Sequence, residues 1–507
     1  SLHHLLVHQT LLHKKGLKML AEFYKDCEVF MTGGSGVVGK AAIEKLLRSS
    51  DVKIIYILLR CKKDDSIEQR LEKIKSAKIF RVLKTQKPDA LNKLVAIPGD
   101  AVLPNLGITP HYAKVLENVS IFFHCAATVR FNETLRIALK LNVGGTWEAL
   151  KFAETLKNLK IYVHVSTFFS NPYLEYVASK MYPAPMNWKL CLQMVDDENK
   201  DELFDTLTRK ITVGFPNTYC FTKNLAEHVV NDYCGRLPIV IFRPSIVVSA
   251  TNEPEPGFPP SLMGAMGLFV MVGAGLLKVV NERSDVHLDM TPLDYGTIVM
   301  LATAYLADKQ YKAGNKMFEV PVTMSSSYGL LPYTFKKLGL AVQENNIWNE
   351  LAFDKNFLIP GCYIVTCKYL YNILNFTHQV LPGLLVDGML TLFGRKPIVM
   401  SLIRKAYTSL ELPEILEVTN GWVSEIVTDF NLSGPLKTAE SEEELIKYLR
   451  CMVAKIREVL LKEDPSTVPR ARKILKAKIV LYNVVRVFLA YYLLRWFYRI
   501  ITNYFSI

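Results

Sequence analysis

The chain has 507 residues, half of them hydrophobic and 21% charged, and a formal net charge of +13. This size and composition predict two or three globular domains with a tendency toward membranes. The nine cysteines show no Cys-x-x-Cys spacing, which argues against a disulfide framework and a zinc site, so no metal is expected. From Val468 to the end there are eight Lys or Arg residues and no acidic residue. Such a tail is suited to the anionic surface of a membrane on its cytosolic side. The sequence has no recognisable nucleic-acid-binding motif, which argues against nucleic acid as a partner.

A glycine-rich turn follows the first predicted strand. Residues 27–31 are predicted to form a short buried strand, and the run Thr32-Gly-Gly-Ser-Gly-Val-Val-Gly39 then opens a helix. Gly33 would permit the tight turn, Gly36 would let backbone amides approach a pyrophosphate, and Gly39 would allow close helix packing. A simple turn is the alternative. The residues assigned to dinucleotide binding are Thr32, Gly33, Ser35, Gly36, Val37 and Gly39.

Basic residues follow the second predicted strand. Arg60 and Lys62 come directly after residues 53–59, where an NAD-specific fold would carry an acid for the ribose 2′-hydroxyl. Cations at this position favour a 2′-phosphate, so NADPH is the predicted cofactor, and a solvated loop is the alternative. Asp100 follows the next strand and could accept a hydrogen bond from the adenine amine, although Asp after Gly is also common in turns.

A hydroxyl pair and a Tyr-Lys pair form the predicted catalytic group. The strand 160–165 runs into Ser166 and Thr167, and a later predicted helix carries Tyr219 and Lys223. A spacing of four places both side chains on one helix face, where a lysine ammonium would lower the pKa of the phenol below about 10. We therefore expect Tyr219 to donate a proton during a reduction.

Longer stretches of the chain match a known family. They are Gly99-Asp100 with Pro104-Asn-Leu-Gly107, His124-Cys-Ala-Ala-Thr-Val-Arg-Phe131, His164-Val-Ser-Thr167, Phe242-Arg-Pro-Ser-Ile-Val247, His378-Gln-Val-Leu-Pro382 and Gly394-Arg-Lys-Pro397. With these motifs the chain closely resembles the fatty acyl-CoA reductases of animals and plants, over nearly its whole length. That family is a branch of the extended short-chain dehydrogenases/reductases with an added C-terminal domain.

The resemblance implies an α/β fold, with a doubly wound parallel sheet of the Rossmann type, a helical C-terminal domain and a C-terminal membrane-associated helix. The implied reaction is the NADPH-dependent reduction of a long-chain fatty acyl-CoA to a primary alcohol through a bound aldehyde. Tyr219 would act on the oxyanion with Thr167 or Ser166, and Lys223 would hold the nicotinamide ribose. The resemblance also implies cofactor roles for Asn142, which would support the lysine through water, and for Pro244 and Ile246.

Two aromatic residues depart from the family pattern near the expected acyl chain. Phe258 stands where the family often has Trp, and Phe169 stands where it often has Tyr. Neither change removes a catalytic group. The acyl-chain length is therefore the property that the resemblance defines least.

The expected domain order follows the same reasoning. Residues 26–300 form the reductase domain after an N-terminal extension (1–25), and 301–360 connect it to a helical domain at 361–463. A basic linker (464–478) and a hydrophobic segment (479–507) end the chain.

Arg486, Arg495 and Arg499 interrupt the last segment, so a single span, a hairpin and an in-plane helix all remain open. The expected location is the endoplasmic reticulum membrane with the catalytic domain in the cytosol, with peroxisomes and lipid droplets as alternatives. A homo-oligomer is left open.

Rival interpretations keep parts of this pattern. An acyl-CoA reductase could stop at the aldehyde, and a sugar-nucleotide epimerase or dehydratase would use tightly bound NAD. A non-catalytic, NADPH-binding membrane adaptor is the rival from another class. Arg60 and the apolar C-terminal half argue against the sugar enzyme, and the complete set of Thr167, Tyr219 and Lys223 argues against the adaptor.

Overall fold

A parallel sheet organises the N-terminal part of the chain. The computed structural model describes residues 16–61, 65–196, 208, 210–281, 290–314, 319–325, 335–354, 356–409, 416–418 and 442–504. The sheet strands are β1 (Glu28–Thr32), β2 (Ile54–Leu59), β3 (Leu94–Pro98), β4 (Ile121–His124), β5 (Ile161–Val165), β6 (Ile239–Pro244) and β7 (Val322–Ser325). Their spatial order is β7-β6-β5-β4-β1-β2-β3, and every neighbouring pair is parallel. This is the Rossmann strand order with a seventh strand added, which confirms the predicted fold class.

Helices connect the strands and form most of the remaining structure. Their bounds are α1 (Val37–Ser49), α2 (Ile67–Lys75), α3 (Arg81–Gln86), α4 (Pro110–Val115), α5 (Leu135–Ala138), α6 (Gly145–Ala153), α7 (Trp188–Asp196), α8 (Thr218–Asn231), α9 (Ala265–Gly273), α10 (Leu293–Lys312), α11 (Phe335–Glu344), α12 (Ile347–Glu350), α13 (Lys368–Asn375), α14 (Leu381–Leu392), α15 (Val399–Ser409), α16 (Glu442–Lys455) and α17 (Val468–Tyr504). Among the residues that the structure describes, three two-stranded parallel pairs lie outside the main sheet: Tyr176–Ala178 with Leu416–Val418, Ile246–Val248 with Met290–Pro292, and Val279–Asn281 with Tyr363–Val365.

The main core lies at the sheet because its central strands are apolar on both faces. Phe30, Phe122 and Tyr162 come from β1, β4 and β5 and are fully buried. Their rings follow one another at centroid distances of 4.7 and 4.9 Å. Parallel strands that helices cover on both sides show continuous apolar runs of this kind. The core therefore fixes the strand ends that carry the predicted site residues.

The chain divides into two compact units that differ from the predicted domain bounds. The first unit comprises Ser1–Met266, His287–Tyr333 and Thr408–Tyr448, and the second comprises Gly267–Val286, Thr334–Tyr407 and Leu449–Ile507. The sheet extends past residue 300 because β7 pairs with β6. Both units are therefore built from segments that are far apart in the sequence, which a contiguous division does not capture.

The C-terminal segment is one continuous helix. Helix α17 has 37 residues and is about 55 Å long at 1.5 Å per residue. The segment Pro465–Thr502 is long and apolar enough to cross a bilayer, with a mean hydropathy of 1.5 in its most apolar window. The structure thus disagrees with the predicted linker (464–478) and with the hairpin alternative. The helix starts early because Ala471 and Leu475 are buried and pack in a cluster of the second unit.

Candidate active site

The glycine turn after β1 fits a dinucleotide phosphate. Gly33 has φ +71°, and a Cβ on it would lie 2.5 Å from the Cys125 carbonyl carbon. A Cβ on Gly39 would lie 2.6 Å from the Gly33 carbonyl oxygen, so the helix packs against the turn as predicted. Ser35 and Gly36 are exposed, and α1 starts at the next residue. The first amides of a helix lack intrahelical acceptors, so this end of α1 can receive an anion.

Thr32 lies beneath this turn rather than at its surface. Its hydroxyl is hydrogen-bonded to His124 Nδ1 at 2.8 Å and accepts from the Ala126 amide at 3.3 Å. Burial lowers the pKa of His124 to about 3, and the charge of Lys223 acts in the same direction, so the imidazole is neutral. Thr32 therefore ties the end of β1 to the segment after β4 and supports the cofactor turn from below.

Arg60 and Asp100 lie side by side at the ends of β2 and β3. Arg60 Nη1 is 4.0 Å from Asp100 Oδ2, and the Arg60 side chain is 58% exposed. A cation in this position can bind a 2′-phosphate, and Asp100 orients it. Lys62, the second cation predicted here, lies outside the described residues.

Tyr219 lies in the first turn of α8. The Asn217 side chain caps this helix by accepting from the Cys220 amide at 2.9 Å. The Tyr219 ring is partly buried against Phe168 and Phe169. Burial raises the pKa of Tyr219 well above 10, and a hydrogen bond with Thr167 lowers it by less. The predicted lowering by Lys223 is therefore wrong for the free protein, where the loss of water around the phenol dominates.

Lys223 lies one turn further along α8 and points to the end of β5. Its ammonium donates to the Val165 carbonyl at 2.6 Å, and the residue is 3% exposed. Burial lowers its pKa to about 8, against the opposing effects of Cys125 and Glu227. The lysine thus adjoins the backbone that leads into Thr167.

Ser166 is directed away from Tyr219 toward a buried ion pair. Its hydroxyl donates to Glu227 Oε1 at 2.5 Å. Arg243 donates to both oxygens of the same carboxylate, at 2.9 and 2.7 Å. The Ser166 hydroxyl is thus committed to a structural contact, which leaves Thr167 as the member of the predicted hydroxyl pair that lowers the pKa of Tyr219.

Asn142 lies in the π turn Leu139–Gly144, between α5 and α6. Its Nδ2 donates to Thr222 Oγ1 at 2.9 Å, and its Oδ1 accepts from the Thr128 amide at 2.9 Å. Thr222 immediately precedes Lys223 on α8. Asn142 therefore connects the segment after β4 to the helix that carries the lysine, and π turns are frequent at functional sites.

The remaining predicted residues lie around the same strand ends. Pro244 ends β6, and Ile246 packs with Tyr219 against one apolar cluster. Phe169 belongs to the core of that cluster, and Phe258 is also buried. The wall beside Tyr219 is thus apolar, as an acyl chain would require.

Sequence reasoning overlooked the residues that hold this site in place. Arg243 lies within the family motif at residues 242–247 and Glu227 lies on the helix that carries Tyr219, but the motifs assign no role to either residue, nor to His124 or Thr222. The available signal was spacing, since Glu227 follows Tyr219 by eight residues and Lys223 by four on one helix face. A buried acid at that spacing requires a buried partner.

Comparisons with known proteins agree with this geometry. Residues 31–300, which are more than half of the chain, match an NAD-binding family described as male sterility protein. The fatty acyl-CoA reductase wat of Drosophila melanogaster is 32% identical over 489 residues, covering 92% of this chain and 91% of that protein. Fatty acyl-CoA reductase 2 of Bos taurus is 32% identical, covering 91% and 90%. Fatty acyl-CoA reductase 1 of Homo sapiens is 30% identical, covering 90% and 88%.

Solved structures show the same fold at much lower identity. The terminal R domain from the myxalamid PKS-NRPS biosynthetic pathway superposes with a TM-score of 0.57 at 16% identity, covering 85% of this chain and 91% of that one. The thiolation-reductase di-domain from an archaeal non-ribosomal peptide synthetase gives a TM-score of 0.51 at 16% identity, covering 89% and 79%. These likenesses support the fold alone.

Proposed function

This chain belongs to the fatty acyl-CoA reductase family, and from that premise we propose that it reduces long-chain fatty acyl-CoA to the primary alcohol with NADPH. One observation carries the proposal: Tyr219 and Lys223 lie one turn apart on α8, and the Lys223 ammonium donates to the Val165 carbonyl, two residues before Thr167, at the sheet edge that also bears the glycine turn. The register of the sheet places Thr32 beside His124 and His124 beside His164, so the ends of β1, β4 and β5 meet at this edge.

The cofactor part of the proposal rests on the turn and on Arg60. The cradle at Gly33 and Gly39 has no room for a side chain, and Arg60 offers a cation next to the second strand. Reduction to the alcohol would consume two NADPH molecules in turn: the hydride of the first would go to the thioester carbonyl carbon, with loss of the CoA thiolate, and the hydride of the second would go to the aldehyde. Asp100 would hold the adenine side, and Pro244 and Ile246 would border the nicotinamide.

Side chains of the protein would donate the proton that the carbonyl oxygen receives. A raised pKa keeps the Tyr219 phenol protonated at neutral pH, so it can donate to the carbonyl oxygen as negative charge develops there. Thr167 would add a second hydroxyl donor to the oxyanion. Lys223 would bind the nicotinamide ribose.

Membrane attachment completes the proposal. Helix α17 would anchor the chain in the endoplasmic reticulum with the reductase unit in the cytosol, and peroxisomal and lipid-droplet membranes are the alternatives. The basic residues at its start, including Arg470 and Lys473, would contact anionic headgroups. Its substrate would then be available from the same membrane.

The proposal is tested by product analysis. Full-length protein in detergent is incubated with NADPH and a mixture of long-chain acyl-CoAs, beside Tyr219→Phe, and the lipids are identified by mass spectrometry. We expect primary alcohol from the wild type and a rate lower by about 100-fold or more in the variant. Aldehyde as the sole product would indicate the partial reductase. No NADPH-dependent product would overturn the proposal in favour of the adaptor.

A further inference from the structure

One helical segment of the second unit has its polar and apolar sides reversed. Helices α13 and α14 are joined by the π turn Phe376–Val380 into one continuous helical run. Spaced along this run is a stripe of large apolar side chains that are all exposed: Tyr369, Ile373, Phe376, Leu381, Leu384, Leu385, Met389 and Leu392. Tyr369 and Leu392, near its two ends, are 83% and 86% exposed. A surface helix of a soluble protein turns such a stripe toward the core.

The opposite side of the same run is buried and carries two polar residues, Gln379 and Asp387. Gln379, Gly383 and Asp387 follow one another at spacings of four and therefore form one inward stripe. Gln379 is 2% exposed and Asp387 is 8% exposed. Two polar side chains of this run thus face the protein, while a stripe of its large apolar side chains faces outward.

The buried polar side chains have firm partners within the second unit. Gln379 Oε1 accepts from the amides of Lys278 and Val279 at 2.8 and 3.1 Å. Asp387 accepts from the amides of Val399 and Met400, each at 2.9 Å. These contacts fix the rotation of the run about its axis. The outward apolar stripe is therefore a built feature, because turning it inward would break these hydrogen bonds.

Charges around the stripe favour an anionic surface. Between Lys368 and Arg404 the only acidic residue is Asp387, which is buried. Lys368 lies exposed at the start of the run, and Arg395 and Lys396 lie exposed just after its end. An apolar stripe with cations at its borders has the composition of a helix that lies in the interface of an anionic membrane.

The inward side of this run is connected to the base of the apolar C-terminal helix. Phe357, which is exposed, lines a groove with Pro382 of α14. Three residues later, Pro360 lines a second groove with Ile479 of α17. The segment 357–360 therefore connects α14 to α17, and both helices belong to the same compact unit.

We propose that the reversed face of α13 and α14 lies in the interface of an anionic phospholipid bilayer. The second unit would then contact the membrane at two elements, with α17 as the anchor and the stripe as a docking surface. Exposed apolar patches of this extent are rare on soluble monomers and mark contacts with membranes or other proteins. The basic borders favour the membrane over a second copy of the chain, and so does the presence in the same unit of α17, which is long and apolar enough to cross a bilayer.

Photolabelling of the full-length protein tests the proposal. The protein is reconstituted in nanodiscs of phosphatidylcholine and phosphatidylserine that contain a phospholipid with a diazirine in its acyl chain, and adducts are mapped by peptide mass spectrometry. We expect adducts in α17 and also in residues 369–393. Adducts in α17 without any in 369–393 would overturn the proposal, as would cross-links that join the stripe to a second copy.

A variant pair separates membrane contact from general exposure. The double variant Leu384→Glu/Leu385→Glu should lower the adduct yield in 369–393 by about tenfold or more, because charge is costly in the apolar layer, while adducts in α17 persist. Val213→Glu replaces an apolar residue that is 74% exposed in the first unit and should leave all adducts unchanged. Unchanged circular dichroism verifies folding. An adduct yield in 369–393 that the double variant leaves at the wild-type level would contradict the proposal.

Discussion

Glu227 holds Arg243 through two hydrogen bonds, Nε to Oε1 at 2.9 Å and Nη2 to Oε2 at 2.7 Å, and both side chains are buried. The same carboxylate accepts from Ser166 at the end of β5. Because Glu227 lies one turn after Lys223 on α8, this ion pair fixes the helix relative to the sheet. The position of Tyr219 thus depends on a pair that takes no part in proton transfer.

The first prediction concerns this ion pair. Glu227→Ala would leave the Arg243 guanidinium buried without a counter-charge and should lower the free energy of unfolding by about 3–5 kcal/mol. Ser166→Ala removes one hydrogen bond and should cost about 1 kcal/mol. Chemical unfolding of both variants in detergent measures the difference. An equal decrease in the free energy of unfolding in the two variants would show that the ion pair stabilises the fold no more than a single hydrogen bond does.

The second prediction concerns pH and Lys223. The pKa of this lysine is about 8 in the folded protein and 10.5 in the unfolded chain. Between these values the unfolded state binds more protons, so stability rises as the pH rises from about 8 to 10.5, by about 3 kcal/mol in total. Below pH 8 the burial penalty is fully present.

The comparison with Lys223→Met isolates this effect from other titrating groups. The difference in unfolding free energy between wild type and variant is measured across this pH range. The unfolding free energy of the wild type should rise relative to that of Lys223→Met as the pH increases. A difference that stays constant with pH would mean that the lysine keeps its ordinary pKa in the folded protein.

The third prediction concerns cofactor choice. Arg60→Ala should weaken NADPH binding by about 10- to 100-fold, because a charge-assisted hydrogen bond to the 2′-phosphate is lost. NADH lacks that phosphate and serves as the internal control, with its affinity nearly unchanged. Fluorescence titration of both cofactors gives the two dissociation constants. A parallel loss for NADH would assign Arg60 to general structure instead.

The fourth prediction concerns the glycine turn. Gly33→Ala combines a positive φ with a Cβ placed 2.5 Å from the Cys125 carbonyl carbon, so the turn must shift and dinucleotide binding should be lost. Gly235→Ala is the matched control, because its φ is +79° but no atom lies within 4 Å of the added Cβ. Titration of both variants with NADPH decides the point. Binding by Gly33→Ala at the wild-type affinity would contradict the assigned cradle.

Local patterns predict much of the first unit. The strand before Thr32, the glycine turn and the helix that carries Tyr219 each depend on neighbours in the sequence, and the structure has all three. The contact of Ser166 with Glu227 joins residues 61 apart, so no local pattern reports it. For the same reason the sequence assigned a catalytic role to Ser166 and none to Glu227.

The C-terminal half shows where local reasoning fails. Residues 468–478 have the charges of a solvated linker, yet they form a helix because Ala471 and Leu475 pack with Ala352 in a buried cluster. The second unit gathers the segments Gly267–Val286, Thr334–Tyr407 and Leu449–Ile507, so its boundaries follow from long-range packing. Composition alone does not contain that information.

Isotope transfer tests the central claim most directly. Full-length protein is given an unlabelled long-chain acyl-CoA and NADPH that carries deuterium at both C4 positions of the nicotinamide, beside Tyr219→Phe. The account predicts a primary alcohol with two deuterium atoms on its carbinol carbon from the wild type, and very little product from the variant. An aldehyde with one deuterium as the end product, or an alcohol without deuterium, would contradict it.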